Sequence, residues 1–245
     1  MNTILQQFGS YLARFLTKPH RSYQQFSVLS QEQLYQTLQP ADLLLVEGNS
    51  RVSTAIKYLT QSTWSHVCMY TGVDETGLGF VVEADLVEGV IRAPLSKYEG
   101  YNLRICRAAN LTEEDRAATI DFALQRIGYR YDTRNILDLV RYLMPTPPVP
   151  SQFRRHLIAL GSGDPTRAIC STLIAQAFQS IRYPILPQLR RIDDGDIPAH
   201  SEEDLLESRH FSHFTPRDFD LSPYFEIVKP TIKGDFDYKR IRWFN

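Results

Sequence analysis

Residues 64–84 read WSHVCMYTGVDETGLGFVVEA, and this stretch decides the fold. Ser65–Gly72 and Gly79–Ala84 are apolar, β-favouring runs. Between them stand Asp74, Glu75, Thr76 and Gly77, which favour turns, so the pattern predicts a β-hairpin. If the hairpin is symmetric about Asp74 and Glu75, residue 66 lies opposite residue 83, and these are His66 and Glu83. A carboxylate inside the apolar run FVVEA is costly to bury unless it is paired. Directly opposed residues share a face of the sheet, so Glu83 is placed to hydrogen-bond the His66 ring. A register slip of two residues would set Asp85 there instead, which makes Asp85 the alternative partner.

Outward from the hairpin, helices and strands are mixed. Leu43–Val46 reads as a short apolar strand, Leu103–Arg107 as another, and Phe225–Val228 and Arg240–Phe244 as late strands. Val52–Leu59 reads as a helix capped by Ser50 or Ser53. Thr112–Ile127 is the clearest helix: Thr112 caps it, and Glu113, Glu114 and Asp115 suit its positive end. Ile120, Ala123, Leu124 and Ile127 form its apolar stripe, and Gly128 stops it. Ile136–Leu143 and Phe153–Leu160 are further helix candidates. Cys170–Ile181 is an amphipathic helix ended before Pro184. Strands paired as hairpins beside helices define an α+β class.

At the N-terminus, Ile4, Leu5, Phe8, Leu12, Phe15 and Leu16 fall on one helical stripe, with Arg14, Lys18 and Arg21 nearby and no acidic residue before Glu32. Residues 1–30 are therefore expected to form an amphipathic helical segment that docks on the core or lies on a membrane surface through residues 1–20. The apolar residues are interrupted by Gln6, Gln7 and Arg14, unlike a secretory signal. The expected compartment is cytoplasmic, with or without a peripheral membrane contact. Residues 31–245 are expected to form one domain, with insertions near 133–168 and 187–215. The first contains the proline-rich MPTPPVP at 144–150, and is either a lid or substrate wall or a structural excursion.

A formal net charge of −1 removes the main electrostatic argument for nucleic-acid binding. The three cysteines, Cys68, Cys106 and Cys170, are odd in number and widely spaced, so neither a disulfide framework nor a zinc ribbon is expected. No Gly-rich phosphate loop or ligand-spaced His/Cys cluster appears, so no metal or cofactor is expected. The thiols are then buried packing groups, or one of them is a nucleophile. Only Cys170 opens a helix, where unpaired N–H groups and the dipole favour a thiolate and could hold an oxyanion. Cys68 and Cys106 fall inside strands and read as packed thiols. Of the six histidines, His20, His156, His200, His210 and His213 lie in polar, basic or terminal stretches, which leaves His66 as the candidate base.

The order His66, Glu83, Cys170 resembles the circularly permuted papain-like cysteine hydrolases of the NlpC-type superfamily, close to the YiiX/YaeF-like amidases. The segments that carry the resemblance are ADLLLVEG, TAIKYLTQSTWSHVCMYTG, VVEADLVEGVIRAPLSKY, GYRYD, AICSTLIAQAF and TPRDFDLSPYFEIV, across roughly residues 40–230. The resemblance implies an antiparallel sheet or small barrel packed against helices, with the catalytic cysteine at a helix N-terminus. It implies Cys170 as nucleophile, His66 as base and Glu83 as the group that orients it. Tyr131 matches the tyrosine of GxxYD, and either lines the site or is a packed aromatic. Trp64 and Ser171, which flank the two reacting residues, are the other substrate-binding candidates.

The expected activity is hydrolysis of an amide bond, peptide or isopeptide-like, through a thioacyl intermediate, on a peptide-like or acylated small substrate. The alternatives are an acyl-lipid thioesterase or phospholipid acyltransferase, as in the lecithin:retinol acyltransferase-like branch, and a binding domain that keeps the fold without catalysis. That branch usually carries a second histidine where this chain has Glu83.

Overall fold

The computed structural model describes residues 30–129, 169–186, 188–189, 206–207 and 209–229. Its elements are α1 (Gln31–Thr37), β1 (Leu43–Val46), α2 (Arg51–Thr60), β2 (His66–Val73), β3 (Gly79–Asp85) and β4 (Gly89–Pro94). A 3-10 turn (Leu95–Tyr98), β5 (Leu103–Ala108) and α3 (Glu113–Leu124) follow. After them come α4 (Ile169–Ser180), β6 (Gln188–Leu189), β7 (Leu206–Glu207), α5 (Pro216–Leu221) and β8 (Phe225–Val228). Six strands form one antiparallel sheet in the order β4-β3-β2-β1-β5-β8, which stays open, with β4 and β8 as its edges. Of the two closures the sequence allows, the sheet is the one adopted, and the class is α+β.

β1 lies inside the sheet, paired to β2 on one side and β5 on the other. Its four residues LLLV are all buried, which is why the run is continuously apolar rather than alternating. Alternation sorts the side chains into two layers. Leu43, Leu45, Val67, Met69, Val82 and Ala84 face one cluster together with Leu173, Ile174 and Phe178 of α4. Leu44, Val46, Cys68, Tyr70, Val81 and Ala93 face the other, with Leu34 of α1 and Leu95 and Tyr98 of the 3-10 turn.

Local chemistry starts and stops the elements. Ser50, not Ser53, caps α2 by accepting from the Ser53 N–H. Thr112 caps α3, and Glu113, Glu114 and Asp115 fill its first turn. The helix ends three residues earlier than the sequence suggests. Gly128, at φ +89, turns the chain so that its N–H donates to the Val90 carbonyl, while the Tyr129 carbonyl accepts from the Val90 N–H. That tether to β4 leaves Ile127 exposed, outside the buried stripe expected for it.

β4 has no counterpart in the sequence reading. Asp85 accepts from the N–H groups of Val87 and Glu88, and Gly89 takes φ +82, so a tight turn returns the chain along β3. The same turn settles the role of Asp85. Its Oδ1 is committed to backbone, and it does not serve as the partner of His66. The N-terminal segment before residue 30, the helix candidates at 136–143 and 153–160, the proline run and the strand at 240–244 lie outside the described residues.

Asp42 ties the β1 entrance to β5. Its carboxylate, 1% exposed, accepts from Arg107 Nε at 2.8 Å and Nη2 at 2.6 Å, and from the Gln39 N–H at 2.8 Å. Removing one member of a buried pair strands the other charge. Asp42→Ala is expected to lower unfolding free energy by about 3 kcal/mol in urea denaturation, whereas Glu113→Ala, on an exposed pair, is expected to change it little.

Candidate active site

The β2–β3 hairpin places His66 and Glu83, though not by the symmetric register. Asp74 accepts from the Thr76 N–H and Leu78 N–H, and Gly77 takes φ +80, so the turn is centred further along the chain. Val73 pairs with Gly79, an irregularity follows between Tyr70 and Gly72, and Met69 pairs with Val82. Continued along the strands, this register sets Glu83 beside Cys68 and leaves His66 diagonal to it. Diagonal neighbours on one face remain within reach, and His66 Nε2 lies 2.7 Å from Glu83 Oε2.

Glu83 is 1% exposed and is fully engaged. Oε2 accepts from His66 Nε2 and from the Tyr98 hydroxyl at 2.5 Å, and Oε1 accepts from Lys97 Nζ at 2.6 Å. Lys97 and Tyr98 come from the 3-10 turn after β4, and the Tyr98 ring stacks near the His66 ring at 6.2 Å between centroids. Sequence reasoning missed both residues. The signal was present in the quoted segment APLSKY, but it lay beyond an unrecognised strand.

Cys170 is the second residue of α4, which packs on β2 and β3. Its thiol lies 3.9 Å from the Ser171 hydroxyl and close enough to His66 and the Val67 N–H for both to favour its charged form. His66 Nε2 is committed to Glu83. Burial works against a charged ring, but the Cys170 charge, the hydrogen bonds to Cys170 and Glu83 and the Glu83 charge outweigh it, and His66 is raised to about 10. Burial likewise opposes the Cys170 thiolate, yet the His66 charge and hydrogen bond, the Val67 N–H and the Ser171 hydroxyl hold that thiol below its ordinary value. Glu83 is lowered to about 2 because His66 and Lys97 overcome the cost of its burial. The site therefore favours a thiolate beside an imidazolium.

The other two thiols move the opposite way. Burial pushes Cys106 up to about 12 and Cys68 well above its ordinary value. Trp64 is 5% exposed, its indole N–H donates to Asp220 at 3.1 Å, and Arg104 lies over its ring at 4.9 Å. Ser171 is fully buried, with its hydroxyl 3.9 Å from Cys170 Sγ. Both side chains are therefore buried rather than presented at the surface. Tyr131 lies outside the described residues. A groove lined by Val90, Phe122, Arg126, Tyr129, Leu173 and Gln176 runs beside α4, with Leu173 one helical turn from Cys170. Among the described residues, no three His, Cys, Asp or Glu side chains gather as a metal-holding group, and no helix is long and apolar enough to cross a membrane.

A helix-borne cysteine facing a sheet histidine is the arrangement that the papain-like resemblance implies. Residues 37–142 match the model of a family described as permuted papain-like amidases of the YaeF/YiiX type, a cysteine peptidase family. The matched span holds His66, Glu83, Lys97 and Tyr98 and ends before Cys170. Among solved structures, the chain is similar to yiiX from Escherichia coli O157:H7, described as a metalloprotein. The identity is 18%, the match covers 80% of this chain and 98% of that one, and the TM-score is 0.47. No curated protein matches.

The two shifted groups define a pH window for stability. Glu83, lowered from 4.5, contributes above pH 4.5 and loses that contribution as pH falls through about 2. His66, raised from 6.5, contributes below pH 6.5 and loses its contribution as pH rises through about 10. The stability gap between wild type and Glu83→Gln is expected to be widest between pH 4.5 and 6.5 and to narrow on both sides. Urea titrations across pH measure it, and a gap independent of pH would mean that the pair is not charged.

Proposed function

We propose that the protein is a cysteine hydrolase that cleaves an amide bond, peptide or isopeptide-like, with Cys170 as nucleophile, His66 as acid and base, and Glu83 as the orienting carboxylate. The observation that carries this reading is the coupling of the Cys170 thiol to a His66 ring whose Nε2 is held by Glu83 at 2.7 Å. The amidase family matched over residues 37–142 supports the reaction class.

The residues divide the chemistry as follows. The Cys170 thiolate attacks the carbonyl carbon, a C–S bond forms, and the carbonyl oxygen takes the negative charge. N–H groups in the first turn of a helix generally lack intrahelical partners, and those near Cys170 would be the donors to that oxygen. His66 donates its proton to the departing nitrogen as the C–N bond breaks, which leaves a thioester. The neutral ring then takes a proton from water, the hydroxide adds to the thioester, and the acid leaves as Cys170 returns to thiolate and His66 to imidazolium. Glu83 fixes the tautomer and the plane of the ring throughout. The substrate fits the class of peptide-like or acylated small molecules, and no step needs a metal or cofactor.

Iodoacetamide near pH 7 is expected to modify Cys170 well before Cys68 or Cys106, since the Cys170 thiol alone is shifted toward the thiolate while burial pushes the other two up. On a panel of aminoacyl amides, γ-glutamyl peptides and phospholipids, amide cleavage is expected. Cys170→Ala should abolish it, and Glu83→Gln should reduce turnover by roughly 10²–10⁴-fold. Equal slow labelling of all three thiols in the folded protein, or lipid cleavage with no amide cleavage, would overturn the reading.

A further inference from the structure

Glu83 has three donors for its two oxygens, although one hydrogen bond would suffice to orient a histidine. The two extra donors arrive together on one short 3-10 turn, and they differ in kind. Lys97 brings a full charge to Oε1, the oxygen that His66 does not use. Tyr98 brings a neutral hydroxyl to Oε2, the oxygen that His66 does use, and its ring lies alongside the imidazole. The two contacts hold both ends of the carboxylate and so fix its plane.

The charge count explains why a lysine stands there. Cys170 thiolate, His66 imidazolium and Glu83 carboxylate sum to one negative charge in an interior where Glu83 is 1% exposed. Lys97, whose side chain is 39% exposed, closes the count to zero. An uncompensated carboxylate there would tend to take up a proton, and a neutral Glu83 could no longer hold a charged ring.

The groups that face Glu83 are few. β2 presents His66 and Cys68, the 3-10 turn presents Lys97 and Tyr98, and α4 supplies Cys170 through His66. β4 sets Ile91 directly across the strand pair, with no charge. Asp85 acts on Lys97 through its charge. Lys97 is thus the one cation besides His66 that bonds the carboxylate among the described residues.

We propose that Lys97 and Tyr98 are positioning residues that keep Glu83 ionised and aligned on His66, and so set the lower pH limit at which Cys170 is a reactive thiolate. The proposal rests on the cysteine-hydrolase reading. It goes beyond that reading by assigning the pH range of the nucleophile to two residues that act on it through Glu83.

The test is the pH profile of Cys170 alkylation by iodoacetamide, followed by mass spectrometry on the full chain, which needs no substrate. Lys97→Met is expected to move the midpoint of the acidic limb upward by about half a pH unit or more. Lys97→Arg is expected to restore it, because the charge returns. Tyr98→Phe, which removes a donor without removing charge, is expected to shift the limb in the same direction by less. Circular dichroism melts establish folding, and if Lys97→Met fails to fold, Tyr98→Phe and Lys97→Arg carry the comparison. Variants that lower the melting temperature or the overall rate, but leave the midpoint where wild type has it, would overturn the proposal and reduce both residues to packing. A wild-type protein with no preferential labelling of Cys170 would instead overturn the cysteine-hydrolase reading on which it stands.

Discussion

A carboxylate held ionised inside the molecule is the constraint on which the site depends. Glu83 sits in a strand whose neighbours Val81, Val82 and Ala84 are all buried. A charge in such a place is tolerated only when partners replace water. The fold supplies them from two elements: β2 brings His66, and the turn after β4 brings Lys97 and Tyr98. β4 is therefore more than an edge strand. By running back along β3, it delivers the 3-10 turn to the face on which Glu83 lies.

His66 in turn connects two layers that the sheet otherwise keeps apart. Glu83 lies on the side of the sheet that packs α1 and the 3-10 turn, whereas Cys170 belongs to the cluster on the α4 side. As the first residue of β2, His66 is placed where the sheet ends, its ring bonded to Glu83 and acting on Cys170 through its charge. This explains a difference in rigidity of demand. The central strands tolerate exchange of one apolar residue for another of similar volume, while the position of His66 is set by the hydrogen bond from its Nε2 to Glu83.

Much of this was legible from sequence. A buried glutamate in FVVEA required a partner, the nearest histidine across the hairpin was His66, and Cys170 alone opened a helix. The pairing held although the register behind it did not. The turn is centred beyond Asp74 because the Asp74 side chain accepts from Thr76 and Leu78. His66 and Glu83 still meet because a two-residue slip preserves the face, and a diagonal neighbour is as useful as an opposite one to side chains of that length. β4 was illegible for a different reason. GVIRAP is short, begins with glycine and ends with proline, and its pairing is created by the Asp85 turn rather than by its own pattern. Losing β4 hid Lys97 and Tyr98, since their nearness to Glu83 is a consequence of that return. Ile127 was misplaced because a tether between Gly128 and Val90, invisible to helical periodicity, ended α3 early.

The three cysteines show how little residue type decides. All are buried and unpaired. Cys106, in β5, meets burial with Asp220 as an added opposing charge, and its thiol rises. Cys68 and Cys170 both lie close to the Glu83 system, yet they respond in opposite directions. Cys68 feels burial and the Glu83 charge directly, so a second negative charge there is disfavoured. Cys170 feels the same carboxylate through an intervening imidazolium, and so meets a positive charge that the carboxylate has stabilised. Burial is the largest influence on Cys68 and the Glu83 charge adds to it, whereas at Cys170 the adjoining imidazolium outweighs burial.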